Sequence, residues 1–96
     1  MEIIKNLNEN VMTIALEGRL DTTTAPQLEA ELTLDGVSEL TFDFEKLDYI
    51  SSAGLRVLLA AQKVMNKQGT MKISNVNADI MEVFEITGFS DILTIE

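Results

Sequence analysis

The chain has 96 residues, of which 46% are hydrophobic, and 7 basic against 16 acidic residues give it a formal net charge of -9. A chain of this length and composition folds around one core, so we expect a single domain over residues 1–96. Cysteine and histidine are both absent, which excludes disulfides, thiolate catalysis, Cys/His zinc sites and a serine activated by histidine. The negative charge disfavours nucleic acids and acidic membrane surfaces, and it favours a basic protein partner.

The N-terminal half predicts two strands, a helix and a third strand. Residues 2–7 and 11–17 favour a hairpin, and in the second strand alternate apolar residues fall on one face. A helix is expected from residue 25 or 26 to 32, where Thr24 and Gln27 have capping-box spacing. The alternation in residues 40–44 predicts the third strand, from which residues 45–50 lead into the next turn.

The C-terminal half predicts two helices separated by a strand. The first helix, over about residues 53–67, has a wide apolar face and places Arg56, Lys63 and Lys67 on its polar side. A fourth strand is expected over residues 70–74, and then a helix that Asn77 or Asp79 caps and Gly88 ends. Residues 92–95 predict a short closing strand. The chain therefore predicts an α/β fold, with a single mixed sheet of four to five strands and helices packed on it.

Ser51 and Ser52 lie where the third strand turns into the long helix. A serine at this position commonly caps the helix, and either hydroxyl is placed to do so. The unpaired amides and the positive end of the helix dipole also favour an anion there. Gly54 allows close approach of the backbone, and Tyr49 and Ile50 before the serines tie this turn to the core. The position therefore suits either a simple cap or a serine that receives a negative charge.

Three segments in this order resemble the STAS domain family. They are a glycine-x-leucine-aspartate turn at residues 18–21, an Ile-Ser-Ser-Ala-Gly-Leu loop at residues 50–55 and a Thr-Gly step at residues 87–88. The resemblance covers essentially the whole chain. Within the family the chain resembles the small bacterial members, the anti-sigma factor antagonists, and the resemblance implies the STAS fold.

The resemblance also implies a phosphorylation switch. In such members the unphosphorylated domain binds an anti-sigma factor that is also its serine kinase, and a sigma factor is released. Phosphorylation ends this binding, and a Ser/Thr phosphatase reverses it. Alignment on Gly54 puts the phosphorylated serine at Ser52. Many members have aspartate immediately before it, where this chain has Ser51, so the second hydroxyl replaces the aspartate, or the kinase tolerates its absence, or Ser51 itself takes the phosphate.

The expected contact surface combines the loop after the second strand with the start of the long helix. Asp21 lies in that loop, where it either contacts the partner or caps the turn as a structural residue. Arg56 either contacts a phosphate or a partner carboxylate, or is simply solvated. The predicted partner-binding residues are Asp21, Thr22, Thr23, Ser51, Ser52, Ala53, Gly54 and Arg56. We expect a cytoplasmic protein, because neither a spanning segment nor a signal peptide is apparent. We also expect a monomer without a cofactor.

Two other functions compete with this interpretation. A STAS-like module that is never phosphorylated could bind a protein or a nucleotide through the same surface, although no phosphate-binding glycine motif is present. An enzyme is less favoured, because Lys46 or Lys63 would have to serve as the base for a serine nucleophile. Asp43, Glu45 and Asp48 could be read as a metal cluster, but alternating acids at a strand edge are usually solvated. We therefore expect no catalytic residue and no metal.

Overall fold

A mixed four-stranded sheet carries the helices of this protein. The computed structural model describes all residues from 1 to 96. The strands are β1 (Glu2–Asn8), β2 (Val11–Leu20), β3 (Glu39–Ile50) and β4 (Thr70–Ser74). The helices are α1 (Ala25–Glu31), α2 (Ser52–Gln68) and α3 (Ala78–Thr87), followed by a short 3-10 helix, Phe89–Asp91. No helix is both long enough and apolar enough to cross a membrane.

The strands lie in the order β1-β2-β3-β4. β1 is antiparallel to β2, whereas β2 with β3 and β3 with β4 are parallel pairs. This arrangement confirms the predicted mixed sheet and the parallel crossover through α2. The closing strand predicted over residues 92–95 is wrong, because only Ile95 bridges to Ile73 in β4. The pairing consists of two hydrogen bonds of 2.9 Å, from the amide of Ile73 to the carbonyl of Thr94 and from the amide of Glu96 to the carbonyl of Ile73.

One face of the sheet is buried and the other is exposed. Met12, Ile14 and Leu16 of β2 are at most 1% exposed, while Thr13 and Glu17, on the opposite face, are exposed. This confirms the alternation predicted for β2. On β3, Phe42 and Phe44 continue the buried face. The centre of the Phe44 ring lies 6.4 Å from the centre of the Phe84 ring in α3. The buried face thus joins the sheet to the helices in one core.

β2 and β3 are both longer than their sequence patterns predict. β2 continues to Leu20 and β3 to Ile50, where the sequence predicted ends at residues 17 and 44. Two register shifts divide the pair, and at each of them β3 contains one residue more than β2. Such bulges break the period of two, so the buried positions of β3 no longer alternate after residue 44. Gly18 has a φ of +106° between the shifts, a conformation that glycine adopts readily.

The long helices begin and end close to their predicted bounds. α2 is one residue longer at each end than the predicted 53–67. Asn77 caps α3 through its Oδ1, which accepts a 2.8 Å hydrogen bond from the amide of Ile80. Its Nδ2 donates to the carbonyl of Leu47 over 3.0 Å, so the same side chain also ties α3 to β3. Asn77 rather than Asp79 is therefore the cap.

Candidate partner-binding and phosphorylation site

Two segments meet at the edge of the sheet where the parallel strands β2 and β3 end. The amide of Ser51 donates a 2.9 Å hydrogen bond to the carbonyl of Leu20, the last residue of β2. This bond places residues 21–24, which follow β2, beside residues 51–56, which follow β3. We call these two segments together the rim.

Ser51 and Ser52 occupy different environments in the rim. Ser51 is the N-cap residue of α2, with extended backbone, and its carbonyl accepts from the amide of Leu55 over 3.0 Å. Its Oγ is buried and has no hydrogen-bond partner. Ser52, the first residue of the helix, is exposed. The predicted side-chain cap is therefore absent at α2, because the Ser51 hydroxyl does not reach an amide of the first turn.

The first turn of α2 presents free donors. Since Leu55 makes the first intrahelical bond, the preceding amides have no carbonyl partner within the helix. No acidic side chain lies in this turn. Arg56 is exposed one turn after Ser52 and takes part in no ion pair. The amide dipoles of the first turn would thus stabilise an anion on Ser52, and no acidic side chain of that turn would repel it.

α2 packs closely against the ends of β2 and β3 at Gly54. A Cβ atom there would lie 2.7 Å from Cγ of Leu20 and 2.9 Å from Cγ1 of Ile50. Both distances are too short for carbon atoms in contact. Gly54 therefore lets the start of α2 pack against Leu20 and Ile50. Because it is buried, it offers a partner little surface.

Asp21 holds its own loop together. Its Oδ1 accepts from the hydroxyl of Thr23 over 2.7 Å and from the amides of Thr23 and Thr24 over 3.0 and 3.2 Å. The Thr23 hydroxyl is the main cause that lowers the pKa of Asp21 below its ordinary value of 3.8, and the two amides add to it. The carboxylate oxygen that makes these bonds is an internal acceptor of the loop.

Thr24 in the rim and Arg19 just before it make contacts that the sequence analysis missed. Oγ1 of Thr24 donates to the carbonyl of Arg19 and accepts from the amide of Asp21, both over 2.8 Å. The predicted Thr24–Gln27 capping box is therefore wrong, because this hydroxyl bonds backward into the loop. The guanidinium of Arg19 lies 4.2 Å from the centre of the Tyr49 ring, and its Nε is 3.7 Å from Oδ2 of Asp21. Only the extended β2–β3 register, which pairs Arg19 with Tyr49, could have revealed this contact.

A shallow depression of about 230 Å³ lies between the starts of α1 and α2. Thr22, Ala53 and Arg56, three of the predicted partner-binding residues, line it together. Its other lining residues are Ala25, Pro26, Glu29 and Val57. The predicted residues that do not line it are Asp21, Thr23, Ser51, Ser52 and Gly54, which belong to the adjoining part of the rim.

Among the acidic residues of β3, Asp43 makes hydrogen bonds that hold the structure together. Oδ1 of Asp43 accepts from Nδ2 of Asn75 and from the amide of Glu45, each over 3.0 Å. The Asn75 amide is the first cause, and the Glu45 amide the second, of a lowered pKa at Asp43. No three acidic side chains come together in a way that could hold a metal ion. Asp43 therefore serves to join β3 to the residue that follows β4.

Comparison with known proteins identifies the family. The sequence model of the STAS domain matches residues 2–96. This chain belongs to the STAS domain family. The domain is 36% identical over 99 residues to BtrV of Bordetella bronchiseptica, a match that covers 99% of this chain and 85% of BtrV. It is 31% identical over 91 residues to the anti-sigma-B factor antagonist of Bacillus subtilis strain 168, covering 92% and 84% of the two chains.

Solved structures show the same fold. The unphosphorylated form of the anti-sigma factor antagonist SpoIIAA superposes on this STAS domain with a TM-score of 0.78 at 19% identity, covering 99% of this chain and 87% of that one. The phosphorylated form of SpoIIAA from Bacillus gives the same TM-score of 0.78. Anti-sigma factor antagonists of the STAS family are regulatory binding proteins and not enzymes.

Proposed function

We propose that this STAS domain is an anti-sigma factor antagonist that phosphorylation of Ser52 switches off. The unphosphorylated domain binds an anti-sigma factor that is also a serine kinase, so that a sigma factor is released. The phosphorylated domain lets go, and a Ser/Thr phosphatase restores it. It acts in the cytoplasm as a monomeric single domain over residues 1–96, without a cofactor. The name of the 31% identical relative from Bacillus subtilis supports the binding role.

The difference between the two serines carries the choice of Ser52. The hydroxyl of Ser51 is buried, and the bond from the Ser51 amide to Leu20 holds its backbone against β2. Ser52 is exposed at the first position of α2. A kinase must bring the hydroxyl to the γ-phosphate of ATP, which is possible at Ser52 without opening the turn. Of the alternatives for the acceptor, this geometry favours Ser52 over Ser51.

The same geometry explains how a phosphate changes binding without unfolding the domain. A phosphate adds about -1.5 to -2 charges and three acceptor oxygens at neutral pH. The free amides at the start of α2 and the nearby Arg56 accommodate that charge within the domain. A partner that covers Ser52 must instead strip water from the phosphate, and this desolvation opposes binding. The switch therefore acts on the contact surface.

The remaining predicted residues take supporting or contact roles in this proposal. Thr22, Ala53 and Arg56 contact the partner through the depression beside Ser52. Asp21 and Thr23 hold the adjoining loop in its shape, and Thr23 also presents an exposed surface. Ser51 and Gly54 position Ser52 through their contacts with Leu20. The aspartate that many members carry before the acceptor is replaced here by a residue whose backbone, rather than its side chain, makes the contacts.

Phosphopeptide mapping tests the proposal. The domain is incubated with its anti-sigma factor kinase and MgATP, and its intact mass is measured before peptides are mapped. We expect a single phosphate on Ser52 in the wild type and in Ser51→Ala, and none in Ser52→Ala. A phosphate on Ser51 would show that the acceptor is wrong. Binding of the anti-sigma factor without any phosphorylation would identify a passive binding module instead.

A further inference from the structure

The charge of this protein is distributed unevenly along the chain. α2 contains Arg56, Lys63 and Lys67 but no acidic residue, which leaves 4 basic against 16 acidic residues elsewhere. All three of these cations are exposed. The outer surface of α2 is therefore positive on an otherwise strongly negative molecule.

None of the three α2 cations forms an ion pair. The ion pairs of the structure join Lys5 to Glu31, Arg19 to Asp21 and Lys72 to Glu96. Lys67 lies in the last turn of α2, where the helix dipole stabilises a positive charge. That explanation does not extend to Arg56 at the start of the helix or to Lys63 near its middle. These charges remain available to an external group.

The cations lie on one continuous stripe of α2. Five exposed residues are each three or four positions from at least one other of the set, which places them on the same side of a helix. We call this stripe the basic ridge, and its residues are Arg56, Ala60, Lys63, Val64 and Lys67. Val64 is 41% exposed and gives the ridge an apolar point between its lysines.

An apolar groove runs beside the basic ridge, between α1 and α2. It has a volume of about 130 Å³, and its apolar lining consists of Leu32, Leu34, Val57, Ala60, Ala61 and Val64. Ala60 and Val64 belong to the ridge as well. Glu29 and Val57 line both this groove and the depression at the rim. The groove and the rim are thus one continuous surface.

We infer that the groove and the basic ridge extend the docking surface of the rim and bind an acidic segment with an apolar face on the anti-sigma factor. This inference rests on the proposed function and extends its contact from Ser52 to Lys67. The apolar groove favours a protein segment over a phosphate backbone or a lipid headgroup, since neither would fill it with apolar groups. The acidic remainder of the domain repels extended polyanions. The net negative charge of the chain favours a basic partner, but this surface is locally positive and therefore favours an acidic segment.

The test compares charge reversals on and off the ridge. Lys63→Glu and Lys46→Glu change the net charge equally, and Lys46 is an exposed lysine of β3 that forms no ion pair. Affinity for the purified anti-sigma factor is measured by titration calorimetry, and thermal unfolding confirms that each variant folds. We expect Lys63→Glu to weaken binding about tenfold, and Lys46→Glu less than about twofold. Val64→Asp, which puts a charge into the groove, is expected to weaken binding about tenfold or more.

Two further measurements identify the occupant. Exchange of an acidic residue of the anti-sigma factor for lysine should restore binding to Lys63→Glu. Amide chemical shifts of the isotope-labelled domain should change as far as Val64, which lies about 18 Å along the helix from Ser52. Shift changes that stop at the rim, together with equal affinities of Lys63→Glu and Lys46→Glu, would overturn the inference and leave the proposed function standing.

The outcomes also separate the inference from the proposed function. If the wild-type domain does not bind the anti-sigma factor, both are overturned. If Lys63→Glu binds the anti-sigma factor normally but loses binding to phosphatidylglycerol vesicles or to duplex DNA, the ridge serves a lipid or nucleic acid and the inference is wrong.

Discussion

The amide of Ser51 donates a 2.9 Å hydrogen bond to the carbonyl of Leu20 and so joins the ends of β2 and β3. The side chain of Leu20 is fully buried and lies directly against Gly54 in the first turn of α2. Leu20 thus contacts the start of α2 through both its backbone and its side chain. The exposed position of Ser52 follows from this arrangement.

Gly54→Ala is expected to destabilise the domain although alanine is the better helix former. Alanine gains about 1 kcal/mol of helix propensity over glycine. Its Cβ, however, would lie 2.7 Å from Leu20 and 2.9 Å from Ile50, both of which are buried. Repacking them should produce a net loss of about 1–3 kcal/mol in the free energy of unfolding, measured in urea. Ser52→Ala, two residues earlier and exposed, serves as the control and should change stability by less than about 0.5 kcal/mol. An increase in stability for Gly54→Ala would contradict this packing.

Ser51→Ala is expected to leave stability unchanged or to raise it. Loss of an N-cap serine usually lowers stability by about 1 kcal/mol. The Ser51 Oγ makes no such bond and is buried without a partner, so its removal should stabilise by up to about 1 kcal/mol. Asn77→Ala provides the contrast, because Asn77 caps α3 and bonds to Leu47. It should lower stability by about 1–2 kcal/mol. Equal losses in the two variants would show that Ser51 caps α2 after all.

Asp21→Asn is expected to lower stability at neutral pH but not in acid. Because the folded state lowers the pKa of Asp21 below 3.8, the ionised carboxylate stabilises the fold above that value. The contribution is lost as the pH falls through the lowered pKa of the folded state. Urea midpoints of Asp21→Asn and the wild type should therefore differ at pH 7 and converge in acid. Asp48→Asn, at an exposed carboxylate that makes no side-chain hydrogen bond, should follow the wild type throughout. A gap that stays constant with pH would mean that the charge of Asp21 has no part in holding the loop.

Regular periodicity made most of the fold predictable. Met12, Ile14 and Leu16 alternate without interruption, and the structure buries all three. The last residues of β2 and β3 were not predicted as strand, because bulges insert extra residues there and interrupt the alternation of buried and exposed positions. The closing strand failed for a different reason. The free edge of β4 does accept the end of the chain, but only at Ile95, and an apolar run such as residues 92–95 does not show how many of its residues will pair.

The candidate site was predictable in position but not in detail. The serine turn and Gly54 could be found because small residues between a strand and a helix mark close packing. Which serine hydroxyl is buried depends on the bond from Ser51 to Leu20, and those residues are far apart in sequence. The role of Thr24 was missed because its hydroxyl bonds backward to Arg19 rather than forward into α1. Local spacing predicts a cap, and only the folded loop decides the direction of the bond.

The affinity of the domain for its anti-sigma factor, measured before and after stoichiometric phosphorylation of Ser52, tests the proposed switch. We expect the phosphorylated domain to bind about 100-fold more weakly or worse, because the partner would have to bury an incompletely paired phosphate. Treatment with a Ser/Thr phosphatase should restore the original affinity, and far-ultraviolet circular dichroism should show the same helix content in both forms. Equal affinities of the two forms would contradict the switch and leave Ser52 as an ordinary residue of a passive binding surface.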